Sequence, residues 1–161
     1  MRRLIVLAGL VGSIVLVANT GWGDASVPGA HATSTVRIIV HKAPGGATVA
    51  IAAVTVHGRV FPFVIDTGAE KTLVDTALAR ELHLKTVGKP INVSGVGCSE
   101  TARNVHLRNW SLGGQSLPNI VATSSNIAGA NGHALGLLGS DVLSRFGAVG
   151  IDYAHGQLTL G

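Results

Sequence analysis

An apolar run, Phe63-Val64-Ile65, leads directly into the tetrapeptide Asp66-Thr67-Gly68-Ala69, which occurs once in the 161 residues. Apolar and β-branched residues in a short run favour a buried strand. Gly68 allows the backbone to turn tightly directly after the acid. The pattern therefore predicts a buried strand that delivers a carboxylate into a short loop. Taken alone, Asp-Thr-Gly is also typical of an ordinary β-turn, because Asp and Gly both favour turns.

Short strand patterns dominate the rest of the chain. The runs Ala47–Val56 and Val60–Ile65 flank His57-Gly58 and predict a β-hairpin. No internal repeat is visible, so the sequence predicts one mainly-β domain. Further strands are predicted at Val36–Val40, Ile91–Val96, Ala102–Leu107, Trp110–Leu112 with Leu117–Ala122, and Val149–Tyr153 with Gln157–Leu160, and a loop at Thr123–His133.

Two short helices are predicted among these strands. Asp75 can cap a helix that runs to Leu84, since leucine and alanine then repeat at helical spacing. Ser140 or Asp141 can cap a second helix that ends at Phe146.

The N-terminus carries an export pattern. Met1-Arg2-Arg3 is followed by the apolar stretch Leu4–Ala18, which is shorter than the roughly 20 residues that cross a bilayer. A secretory signal peptide is therefore expected, with an uncleaved membrane anchor as the alternative. Either places the domain outside the cytoplasm, as a secreted, periplasmic or cell-envelope protein. The expected organisation is a signal peptide or anchor at 1–25, a flexible linker with a short strand at 26–46, and the domain at 47–161.

Composition excludes several other classes of function. The formal net charge is +4, but the basic residues are scattered and form no stripe, so no nucleic-acid partner is indicated. The seven histidines show no zinc-ligand spacing, so no metal site and no cofactor are expected. Cys98 is the single cysteine, and it can only stay free or pair with another chain.

The order of motifs resembles a known family. Val56–Ala69 resembles the start of retropepsin-like (retroviral-type) aspartic proteases, and Thr72–Asp75 continues that likeness. Gly136–Leu143 is similar to the family's second marker, two apolar residues and a glycine before a short helix. Ile151–Leu160 is similar to the ending of bacterial members. The resemblance covers residues 47 to 161.

This resemblance implies a fold, a reaction and an oligomeric state. The fold would be a closed, β-barrel-like retropepsin lobe, mainly β with one or two short helices. The lobe would work as a homodimer on polypeptide substrates, with Asp66 of each subunit meeting on the two-fold axis. Such a pair shares one proton, because two like charges that close do not both ionise easily. One carboxyl then activates water and the other polarises the peptide carbonyl, without a cofactor.

The resemblance also implies roles for neighbouring residues. Thr67, Gly68 and Ala69 would support the catalytic loop, and Leu137, Leu138 and Gly139 would pack beneath it. Ser94, Gly95, Val96 and Gly97 occupy the region of the flap that closes over a bound peptide in the family. The alternative is a plain mobile hairpin tip, and Cys98 beside it could link two flaps.

The other acids offer no second catalytic loop within one chain. Asp75 and Asp141 are read as helix caps, and Asp152 lies in the closing hairpin. The expected function is therefore a homodimeric aspartic endopeptidase. Two alternatives stay open: a non-catalytic module that binds peptides in the same cleft, and an envelope protein whose dimerisation is purely structural.

Overall fold

The computed structural model describes residues 33–42, 46–95, 98–127 and 134–161. The predicted signal peptide or anchor, residues 26–32 and 43–45 of the predicted linker, and Val96 and Gly97 lie outside the described residues. Within the described ranges, no helix is long and apolar enough to span a membrane.

Strands make up most of the described chain, as predicted, with two short helices. The strands are β1 (Ser34–Lys42), β2 (Thr48–Val56), β3 (Arg59–Ile65), β4 (Leu73–Asp75), β5 (Thr86–Gly95), β6 (Cys98–Leu107), β7 (Trp110–Leu112), β8 (Gln115–Ser116), β9 (Ile120–Ser125), β10 (Gly136–Leu138), β11 (Val149–Asp152) and β12 (Gln157–Leu160). The helices are α1 (Thr76–Glu81) and α2 (Ser140–Leu143), and a 3₁₀ turn, Ser144–Phe146, follows α2.

The strands form one continuous but open sheet. Their order is β11-β12-β1-β2-β3-β10-β4-β9-β6-β5, with β7 and β8 attached to β2. The expectation of a closed barrel is therefore wrong, because in the described residues β11 and β5 are edges that do not pair with each other. Strand β5 is suited to an edge, since it contains Lys89 and Pro90 and shifts register between Val87 and Ile91.

Strand β3 lies at the centre of this order and carries the chain towards Asp66. Its alternate side chains Phe61, Phe63 and Ile65 are buried in the core, as the period of two in a strand requires. β10 pairs with β3 in parallel, Gly136 lying opposite Phe63. A Cβ at Gly136 would lie 2.2 Å from the Phe63 ring, so glycine is required where the two strands meet.

Two local predictions differ from the observed pairing. The short β8 supplies the return strand of the β7 hairpin, and not Leu117–Ala122. β9 instead runs to Ser125, through part of the predicted loop, and pairs with β6 and β4. Strand β1, within the segment predicted as linker and short strand, pairs with both β12 and β2 and so belongs to the sheet.

Helix α1 follows the predicted capping chemistry. The Asp75 carboxylate accepts a hydrogen bond from the Ala77 N–H at 2.7 Å, which satisfies one of the unpaired donors of the first turn. The buried residues Leu78 and Ala79 hold the helix against the core. The prediction that Asp75 caps this helix is confirmed.

Candidate active site

Asp66 opens a loop, Asp66–Thr72, that joins β3 to β4; we call it the site loop. The Gly68 N–H donates to Asp66 Oδ1 at 2.9 Å, which fixes the direction of the carboxylate. A Cβ at Gly68 would lie 3.3 Å from this oxygen, so any larger residue would crowd it. Asp66 is half-buried, whereas Thr67 and Gly68 are exposed. The carboxylate is therefore held by the backbone of its own loop on one side and exposed to solvent on the other.

Residues Leu138–Asp141, which we call the anchor segment, lie against the site loop. The Asp66 N–H donates to the Leu138 carbonyl at 3.1 Å, and the Ser140 N–H donates to the Ala69 carbonyl at 2.8 Å. β10 runs beside β3 up to this point, with Leu138 opposite Ile65. Leu138 and Gly139 are buried and Leu137 is partly buried. The predicted supporting residues are thus brought next to the loop, and their contribution to catalysis stays a prediction.

Gly139 allows the closest approach between the two segments. A Cβ at this position would lie 2.6 Å from the Lys71 carbonyl carbon and 2.9 Å from the Thr72 nitrogen. Both are backbone atoms, which no side-chain rotation could move aside. Glycine at 139 is therefore a steric requirement of the contact between the loop and the anchor segment.

A side-chain contact that the sequence did not reveal closes the far end of the site loop. Asp141 Oδ1 accepts hydrogen bonds from Thr72, from its backbone N–H at 3.0 Å and from its hydroxyl at 2.7 Å. The same hydroxyl accepts from the Gly139 N–H at 3.2 Å. Thr72 is fully buried, and these bonds satisfy its hydroxyl as both donor and acceptor.

The prediction that Ser140 or Asp141 caps the second helix is wrong. Gly139 is the N-cap of α2, and no side chain accepts a hydrogen bond there. Asp141 is instead in the first turn, with its carboxylate directed to Thr72, which is 69 residues away in the chain. An acid early in a helix is favoured by the local sequence whether it caps the helix or only lies in the first turn. The contact with the distant Thr72 shows that Asp141 does not act as the cap.

The remaining acids considered in the sequence serve local structure. The second oxygen of Asp75 accepts from the Ile127 N–H at 3.2 Å. Asp152 holds the β11–β12 turn by accepting from the His155 N–H at 2.9 Å and contacting its imidazole at 2.7 Å. These hydrogen bonds, the backbone one first, lower the pKa of the Asp152 carboxyl below its usual 3.8. Among the described residues, no three acids, histidines or cysteines lie close enough together to hold a metal ion.

The predicted flap lies at the tip of the β5–β6 hairpin. The two strands pair as far as Gly95 opposite Cys98, so the hairpin is longer than the sequence predicted. β6 pairs with β9 only over Arg103–Leu107. Val96 and Gly97 lie outside the described residues, and the hypothesis of a flap at 94–97 stays a prediction.

Comparison with known families supports the resemblance that the sequence motifs indicated. The sequence model of the aspartyl protease family matches residues 52–142. This span is more than half of the chain and includes both the site loop and the anchor segment. The chain therefore belongs to the aspartyl protease family. Among curated proteins, none matches it.

Solved structures specify the fold within that family. The crystal structure of a retropepsin-like aspartic protease from Rickettsia conorii matches with a TM-score of 0.51 and 22% identity. The match covers 80% of this chain and 90% of the Rickettsia chain. This likeness confirms the retropepsin-like fold that the resemblance implied.

Proposed function

We propose that the chain is an aspartic endopeptidase whose catalytic dyad consists of Asp66 from each of two subunits. The observation that carries the proposal is the environment of Asp66. Asp66 directly follows a buried strand, and its carboxylate accepts a hydrogen bond from a backbone N–H and remains partly exposed to solvent. A purely structural carboxylate has no need of an open side, whereas a catalytic one must reach water and substrate.

The second carboxylate would come from a second copy of the chain. Asp75, Asp141 and Asp152 each accept hydrogen bonds that fix them elsewhere. A two-fold axis beside the exposed Thr67 and Gly68 would bring two copies of Asp66 together, since symmetric dimers use the same surface twice.

The reaction needs no atom that the dyad, water and peptide do not supply. The ionised Asp66 takes a proton from water, and the oxygen of that water attacks the peptide carbonyl. The protonated Asp66 of the other subunit gives its proton to the carbonyl oxygen. As the resulting diol collapses, one of its hydroxyl groups gives its proton to the carboxyl that is now ionised, and the C–N bond breaks. The amine leaves with the proton of the other carboxyl, the one first taken from water. The two carboxyls titrate as one coupled pair.

The substrate would be an extended polypeptide, covered by the β5–β6 hairpin. The proposal includes export through residues 1–25, by a cleaved signal peptide or a retained anchor. N-terminal sequencing of protein recovered from the expressing cell's envelope and medium would distinguish the two, and full-length protein confined to the cytoplasm would contradict export.

Cleavage of an unstructured polypeptide by the purified protein tests the function. Asp66→Asn should lower the rate by about 100- to 10,000-fold, because the amide cannot accept the proton from water. The fold should persist, since the amide oxygen can still accept the Gly68 N–H. Cleavage by Asp66→Asn at the wild-type rate would contradict the proposal.

Glu81→Gln provides the matched control. It is the same acid-to-amide change on the exposed face of α1, where Glu81 pairs with Arg59 and lies outside both the site loop and the anchor segment. This variant should cleave at the wild-type rate. Sedimentation under the assay conditions completes the test, because a strictly monomeric protein that still cleaves would contradict the two-subunit dyad.

A further inference from the structure

Three of the contacts between the anchor segment and the site loop use only the backbone of the anchor segment. Leu138 contributes its carbonyl, and Gly139 and Ser140 contribute their N–H groups. Asp141 alone contributes a side chain to a hydrogen bond with the loop, within the described part of the chain. The carboxylate of Asp141 is therefore the contact that a substitution can remove while leaving the others in place.

We infer that Asp141 is a positioning residue for catalysis, which holds the Asp66 loop in register through Thr72. This inference rests on the proposed function and adds a residue that acts without touching substrate. Thr72 is the last residue of the loop, and Asp66 is the first. The first end of the loop is fixed at Leu138 and its middle at Ser140, and the Thr72 carbonyl accepts from the Thr123 N–H at 3.1 Å. Asp141 adds the hold on the N–H and hydroxyl of Thr72, so the exact position of this end of the loop depends on its carboxylate.

The geometry at Thr72 shows how firm this hold is. Two hydrogen bonds converge on one oxygen of Asp141, at 3.0 Å and 2.7 Å, and the charged acceptor strengthens both. The Thr72 hydroxyl is also the acceptor for the Gly139 N–H. Removing the carboxylate would leave a fully buried hydroxyl and an N–H without their acceptor, which the surrounding structure could satisfy only by shifting.

A small shift is costly for a dyad. Two carboxyls share a proton only at close range, and misplacement by about 1 Å can lower a rate by about 100-fold. In a symmetric dimer, displacement of Thr72 would move the site loop of each subunit. The distance between the two Asp66 carboxyls would then change by the sum of the two movements. Binding of the polypeptide elsewhere in the cleft would change much less.

Steady-state cleavage by Asp141→Ala and Asp141→Asn tests the inference. Asp141→Ala should lower kcat by about 10- to 100-fold and change KM by less than about threefold. Asp141→Asn should restore kcat to within about threefold of wild type, since its amide oxygen can accept both hydrogen bonds from Thr72. Equal impairment of the two variants would overturn the inference, because hydrogen-bond acceptance would then not be the role of Asp141.

Val54→Ala is the matched control for a general loss of stability. Val54 is fully buried in β2, so its truncation destabilises the core without altering the anchor segment. Its kcat per folded molecule should equal that of wild type. If Asp141→Ala loses no more kcat than Val54→Ala does at matched folded fraction, Asp141 has only a structural role and the inference fails.

Amide hydrogen exchange separates failure of this inference from failure of the proposed function. In Asp141→Ala, the Ser140 and Gly68 amides should exchange at least about tenfold faster than in wild type, while Asp141→Asn leaves them protected. This readout needs no enzymatic activity. Unchanged exchange in Asp141→Ala would overturn the inference. Faster exchange in Asp141→Ala together with no cleavage by wild type would instead overturn the proposed function, and Asp141 would then hold the loop without a role in catalysis.

Discussion

The site loop and the outer half of the β5–β6 hairpin differ in how they are held. The loop is bonded to the anchor segment at Asp66, Ala69 and Thr72. In the outer half of the hairpin, from the pair Ile91 and Ala102 to the tip, β5 and β6 pair with each other. No other described strand pairs with this part of the hairpin. A catalytic carboxylate needs a fixed position, while a segment that must admit a polypeptide needs freedom to move. Under the proposed function, the site loop would meet the first requirement and the outer half of the hairpin the second.

The largest effect should come from Gly139→Ala, which attacks the fixed region. The new Cβ would overlap backbone atoms of Lys71 and Thr72, so the loop and the anchor segment would be forced apart. We expect the free energy of unfolding to fall by about 3 kcal/mol or more. Urea denaturation measures this change. A loss below about 1 kcal/mol would show that the two segments can separate easily.

Amide exchange of the wild-type protein compares the two regions directly. The Asp66 and Ser140 amides, bonded to the anchor segment and to the loop, should exchange slowly. The amides of Asn92 and Thr101 in the outer hairpin should exchange faster, with a free energy of opening at least about 2 kcal/mol lower than that of Asp66 and Ser140. Equal protection in both regions would remove the distinction between them.

A pair of threonine substitutions provides the finest comparison. Thr72→Ala should cost about 1–3 kcal/mol, because the buried Gly139 N–H loses its acceptor and the Asp141 carboxylate loses one of its two donors. Thr101→Ala removes the same atoms from an exposed position in the outer hairpin and should cost no more than about 0.5 kcal/mol. Thermal unfolding of both variants measures the difference, and similar costs would contradict the account of Thr72.

Much of this fold could be predicted because its signals are local. The β2–β3 hairpin, the buried strand before Asp66 and the Asp75 cap each depend on residues that are near one another in the chain. The capping bond, for example, spans two residues. Propensity, periodicity and capping chemistry act over such distances, so one sequence is enough to read them.

The parts that could not be predicted depend on contacts between distant segments. The local sequence predicts a helix cap at Asp141, because its actual partner, Thr72, is separated from it by 69 positions. The open edge of the sheet and the pairing of β9 with β4 likewise depend on which strands meet, and alternation within a strand does not specify its neighbours. No signal in the sequence identifies Thr72 as this partner, because its complete burial is known only from the fold.

The dyad itself is tested most directly by mixing subunits. Wild-type protein and Asp66→Asn are combined at a fixed wild-type concentration, and cleavage is measured after the subunits have exchanged. If each site needs Asp66 from both chains, an equal mixture should leave about half the activity per wild-type subunit, and a ninefold excess of the variant about one tenth. Activity that stays unchanged as Asp66→Asn is added, with exchange verified by a labelled subunit, would contradict a site shared between two chains.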